Sequence, residues 1–185
     1  MRWDELFADL EGQLAAQQVA ERDAEVADRT RRELSELTVL DRARASRGAV
    51  VRLRVSGVGE ITGLLTEVGA QWLLVGEDSG QEALVPLDAV LSANGFGARS
   101  ATPGSAGPVF ARLGLGTALR RLAQDRAVVT VWLRDGSTVS GTIDRVGADF
   151  VELSALGAGE LPRRSELTGA RTVPVAALAM VRRGA

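Results

Sequence analysis

Two copies of one pattern run through the chain, and this repeat restricts its fold more than any other feature. Setting residues 49–75 against 127–153, an offset of 78, aligns 27 positions without a gap, and seven are identical. They are Ala49, Val50, Val51, Gly63, Val68, Gly69 and Ala70, which meet Ala127, Val128, Val129, Gly141, Val146, Gly147 and Ala148. Val51, Leu53, Val55, Ile61 and Leu65 meet Val129, Val131, Leu133, Val139 and Ile143, so one strand face stays apolar while the other drifts. Trp72 meets Phe150, and after an insertion of ten residues Val85-Pro86-Leu87 meets Val173-Pro174-Val175. Each copy therefore reads as strand, turn, bent strand, Val-Gly-Ala turn, strand, Val-Pro, strand.

A unit of roughly 50 residues with five short strands is too small to bury two separate sheets, so the repeat predicts strands curled into a small barrel. Gly63 and Gly141 lie mid-strand, where glycine permits bending or close approach of another backbone. Asp135-Gly136 is a hairpin signal because both residues tolerate positive φ. Pro86 and Pro174 donate no backbone hydrogen bond, which predicts a strand start or an edge. The division that follows is a helical arm over 1–47, a first small barrel over 48–92, a flexible Gly/Ala/Ser/Pro-rich linker over 93–108, and a second barrel with a leading short helix over 109–185.

In the arm, Trp3, Phe7, Leu10 and Leu14 recur at helical spacing, and Val26, Thr30, Leu34 and Leu37 resume the stripe. One unbroken helix over this length would span about 65 Å, longer than a small domain is wide. Such a helix must break, pair with another chain or project; Gly12 and the capping-box pattern of Thr30 and Glu33 are the candidate places for a break, and Arg47-Gly48 reads as a C-terminal stop. Trp3, Leu6, Phe7, Leu10 and Leu14 form a concentrated apolar face that either covers a barrel of its own chain or docks on another protein. Both readings bury Trp3.

The second copy, a short helix leading into Val128–Leu153 with its Gly turn and Gly-x-apolar step, resembles the Sm-like and SH3-like small barrels. The likeness covers about 60 residues there and about 45 in the first copy, and it implies an α+β, mainly β architecture: a helical arm followed by two tandem Sm-like/SH3-like small β-barrels. Gly147 and Val151 stand where the Sm RNA pocket has Asp and Asn, so the resemblance carries the fold and not that pocket. The layout of acidic, aromatic helix and two barrels also resembles an uncharacterised actinobacterial family.

Chemistry is narrowed by what is missing. The chain has no Cys, no His and no Tyr, and all 22 basic residues are Arg. Thiolate and imidazole metal sites and every Cys-, His- or Lys-dependent catalytic device are excluded. Gly57-Val58-Gly59 and Gly114-Leu115-Gly116 complete no dinucleotide fingerprint, and a P-loop requires Lys. Glu77-Asp78 and Asp144 with Asp149 read as turn and surface carboxylates. We expect no enzymatic activity, no cofactor and no metal.

Charge divides along the chain, with −3 over residues 1–47, −4 over 48–98 and +5 over 99–185. Arg120, Arg121, Arg163, Arg164 and Arg171 are the residues that would contact RNA or single-stranded DNA, since guanidinium suits phosphate and base stacking. The first expectation is a protein partner or self-association through barrel edges and the N-terminal helix, with nucleic-acid binding as the alternative. No run reaches transmembrane length and the N-terminus lacks the order of a signal peptide, so a cytoplasmic protein without membrane contact is expected.

Overall fold

Ten strands form among the described residues, several of them built on alternation of apolar and polar residues. The computed structural model describes residues 3–78, 80–101, 113–155 and 170–183, with side chains described from residue 11 onward except at 14–16, 19–20 and 155. The first repeat forms β1 (Val50–Val55), β2 (Gly59–Val68), β3 (Trp72–Gly76), β4 (Glu82–Pro86) and β5 (Val90–Asn94). The second forms β6 (Val128–Leu133), β7 (Thr138–Val146), β8 (Phe150–Ala155), β9 (Arg171–Pro174) and β10 (Leu178–Arg183). Among the described residues three α-helices accompany them: α1 (Trp3–Glu36), α2 (Val39–Ala45) and α3 (Leu115–Gln124). The protein is mainly β with a helical N-terminal region.

All ten strands join one open antiparallel sheet in the order β5-β1-β2-β3-β4-β10-β6-β7-β8-β9. Each repeat has the internal order fifth, first, second, third, fourth strand. The fourth strand of the first repeat does not turn back onto its own fifth; β4 pairs with β10, the fifth strand of the second repeat. The repeats are thus two halves of one sheet, because the backbone groups along β4 are satisfied by the other half.

The register shows how faithfully the fold is repeated. Val51 faces Gly63 as Val129 faces Gly141, and Trp72 faces Pro86 as Phe150 faces Pro174. The second strand shifts register after Leu65 in one copy and after the matching Ile143 in the other. The fifth strand does so at Val90 and at the matching Leu178, opposite Val55 and Leu133. Pro86 and Pro174 close β4 and β9 and lead into 3-10 turns at Leu87–Ala89 and Val175–Ala177, so they stand at strand ends and not starts, with Pro174 on the edge strand β9 and Pro86 on an interior strand.

Each repeat has its own apolar cluster, yet each borrows from the other. The first, around Leu53, Leu65, Leu73 and Val85, takes in Ala179 and Met180 of β10. The second, around Leu119, Val129, Leu153 and Leu178, takes in Trp72 and Leu84 of β3 and β4. Residues 39–185 accordingly form one compact unit, and residues 1–38 form another.

The helical arm divides elsewhere than its sequence suggests. Gly12 is passed without interruption, and so is Thr30, whose hydroxyl donates to the Val26 carbonyl at 2.8 Å. Glu33 accepts from Arg29 at 2.9 Å, so the capping box is not made. The break falls at Leu37 and Thr38, and α2 joins the sheet unit with Ala43 buried in the first core. Gly48, at φ +83°, supplies the left-handed residue that follows α2. β5 runs to Asn94, inside the segment read as linker. Phe96 then packs on the first core, and Gly97 N–H donates to Ser46 Oγ at 3.0 Å. Residues 102–108 lie outside the described residues.

Candidate interaction surfaces

Three surfaces of the sheet unit, together with α1, carry the residues that a partner would meet. The first surface is α3. It opens at Gly114 without a side-chain cap and buries Leu115 and Leu119, which leaves Arg120 and Arg121 exposed. Neighbours on a helix diverge by about 100°, and here the doublet splits. Arg120 lines a shallow hollow with Arg145 and Phe150, whereas Arg121 lines an apolar groove on the other side of α3. Arg171 stands exposed on β9, two strands from β7, against which α3 packs. Its charge acts on Asp135 in the turn between β6 and β7. Arg163 and Arg164 lie outside the described residues. The described arginines of the sequence-derived set are therefore distributed over three places.

The second surface is the groove, with a volume of about 340 Å³. Trp72, Leu84 and Val181 form its apolar base, and Leu113 and Leu122 stand along it. Trp72 is 4% exposed, and its indole Nε1 donates to the Leu113 carbonyl at 2.9 Å. Arg183 and Asp125 approach to 3.8 Å among the polar lining residues. Trp72 is visible in the sequence only as an aromatic kept between copies.

The third surface is the seam where β4 meets β10, with Val181 opposite Leu84 and Arg182 opposite Ala83. Arg182 donates to Glu77 Oε1 at 2.8 Å, and its guanidinium carbon lies 4.8 Å from the centre of the Trp132 ring. Arg134 reaches Asp88 Oδ2 at 2.7 Å and donates to the Leu178 and Asp88 carbonyls at 3.3 Å each. Glu77 is consequently no surface carboxylate; its side chain is 16% exposed. Gly57 permits the close approach at this seam, because a Cβ there would collide with the carbonyls of Leu133 and Arg134. The aligned repeats hold the clue to these residues: Arg134 meets Ser56, Arg182 meets Asn94, Asp88 meets Ala176 and Glu77 meets Ala155. Charge present in only one of two equivalent places marks a contact made once.

Every described side chain of α1 is exposed, including Val26 at 63% and Leu34 at 61%. Arg29 with Glu33 and Arg31 with Asp28 make ion pairs along it. The side chains of Trp3, Leu6, Phe7, Leu10 and Leu14 lie outside the described residues. Among the described residues no group of three or more carboxylates could hold a metal ion, and no helix is long and apolar enough to cross a membrane. Asp144 accepts a hydrogen bond from Ser154 Oγ.

No family model and no curated protein matches the chain.

Proposed function

We propose that the protein is a non-enzymatic binding or scaffold protein that acts through protein–protein contacts or self-association, with two small-barrel repeats as its platform and α1 as its arm. The observation that carries this reading is the exposure of α1. Isolated helices gain little stability from propensity and depend on burial of an apolar face. Over residues 26–37 the stripe of Val26, Thr30, Leu34 and Leu37 includes two large apolar residues that are more than half exposed. With Trp3, Leu6, Phe7, Leu10 and Leu14 continuing the pattern at the other end, this is a helix whose sequence asks for a cover. Light scattering coupled to size exclusion tests the reading at low and high salt. A mass above that of one chain, or a stable protein complex, that survives high salt and is lost when residues 1–38 are removed supports it; an unassociated chain that captures no protein overturns it.

The second reading, RNA or single-stranded DNA binding, is favoured by Arg120 and Arg145 beside Phe150 in one hollow, a cation and ring arrangement suited to a phosphate and a base. Binding there weakens steeply with salt, which apolar docking does not.

A further inference from the structure

The seam between the repeats is made once, but each repeat has the strands to make it again. In the order β5-β1-β2-β3-β4-β10-β6-β7-β8-β9, the two ends that pair with no further strand among the described residues are β5, the fifth strand of the first repeat, and β9, the fourth strand of the second. These are the counterparts of β10 and β4, the strands that meet at the seam. A second copy could therefore set its β9 against β5 of the first and continue the sheet head to tail, a heterologous contact that generates rings or filaments.

The residues at the two ends are not those of the seam. Where β4 presents Ala83 and Leu84, β9 presents Arg171 and Thr172, both exposed. On the opposing strand, Ala179 and Met180 are fully buried in the first core, whereas β5 has Leu91, 64% exposed, and Ser92. A leucine overfills a slot shaped for alanine, and a serine underfills one shaped for methionine while burying a hydroxyl. The ion pairs disappear as well. Arg134 and Asp88 become Ser56 and Ala176, and Arg182 and Glu77 become Asn94 and Ala155. The inward strand faces change only conservatively between copies, whereas the positions that meet at the seam are among those that diverge.

We propose that the sheet is terminated at both ends against copies of itself, so that β5 and β9 do not join chains and any self-association of the protein uses another surface. Short strands, an edge arginine and an edge proline are general means of preventing strand addition, and β9 has all three in Arg171, Pro174 and its four-residue length. The inference narrows the scaffold reading and rests on it only for the phrase concerning self-association.

Two full-length variants test it. One carries the seam chemistry on the β5 end, Ser56→Arg, Leu91→Ala, Ser92→Met and Asn94→Arg. The other carries it on the β9 end, Ala155→Glu, Arg171→Ala, Thr172→Leu and Ala176→Asp. Each alone should keep the wild-type mass at equal concentration, and an equimolar mixture should form a complex of one with the other. A third variant, Ala93→Pro with Thr172→Pro, removes an outward-facing N–H from each edge and should leave the wild-type mass unchanged. The proposal is overturned if edge blocking lowers the mass of the wild-type assembly, or if the two seam variants, each with a wild-type circular-dichroism spectrum, remain separate on mixing. Should either seam variant fail to fold, the edge-blocked protein decides alone. Association that persists after edge blocking leaves the scaffold reading standing with α1 as its route; a wild-type protein that never associates overturns the self-association part of that reading and not this one.

Discussion

Gly69 and Gly147 show what a single missing side chain can do. In both turns the glycine N–H donates to the carbonyl of the aromatic three residues on, Trp72 at 2.9 Å and Phe150 at 2.8 Å. The ring of that aromatic then lies over the glycine, where a Cβ would collide with it. Gly147→Ala should therefore displace Phe150 and destabilise the protein by about 2 kcal/mol, measurable by urea denaturation, with Gly69→Ala at least as costly because Trp72 is more deeply buried. Asp135 is a second case. Its carboxyl is held below the usual carboxylate range, first by the hydrogen bond from Ser137 Oγ at 2.7 Å and then by the one from Ser137 N–H at 2.9 Å. A depressed folded value contributes support above the unfolded value of about 3.9 and loses it as pH falls through the folded one. Ser137→Ala should raise the titration midpoint of Asp135, read by carboxyl NMR, and loosen the β6–β7 hairpin at neutral pH, with the difference from the wild type vanishing in acid. Gly136, at φ +89°, is the left-handed residue that this turn needs.

Between elements, the seam is held by polar contacts set on an apolar base. Glu77→Gln should cost roughly 2 kcal/mol, since it leaves the guanidinium of Arg182 partly buried without its carboxylate. A double-mutant cycle with Arg182→Met should show coupling of about 1 kcal/mol or more, whereas the exposed pair of Arg29 and Glu33 should show a few tenths. Helix α1 yields the opposite kind of prediction. Gly12 sits within it and a Cβ there meets nothing within 4 Å, so Gly12→Ala should raise helicity and stabilise residues 1–38 by about 1 kcal/mol. Circular dichroism on the full chain would register the gain, and the sheet unit should be unaffected.

At the scale of the molecule, the two borrowed pairs of core residues imply that the repeats unfold together. Met180→Ala, made in the second repeat, should destabilise by about 3 kcal/mol and shift both repeats in one transition, as followed by the fluorescence of Trp72 and Trp132 with near-ultraviolet circular dichroism. Two separated transitions would mean that the shared sheet does not couple the halves. For the arm, Trp3→Ala should lower association without altering the melting of the sheet unit if α1 docks on a partner.

Much of this was legible in the chain itself. The offset of 78 between Ala49 and Ala127 marked β1 to β3 and β6 to β8 as matching strands, and the Val-Pro steps marked the strands after them, because strand periodicity and turn glycines are local properties written over neighbouring residues. The helical character of the arm was legible for the same reason, while its break was not, because Thr30 bonded backward to Val26 and Glu33 was taken by Arg29. What only the tertiary structure decided is where β4 goes. A repeat read alone predicts a strand curling back on its own unit, and both pairings satisfy the same backbone groups. The choice fell to contacts between residues about a hundred positions apart, Glu77 with Arg182, Leu84 with Val181, and Met180 in the first core. Such contacts leave no periodicity to read, and the same physics separated Arg120, Arg121 and Arg171 although composition had grouped them.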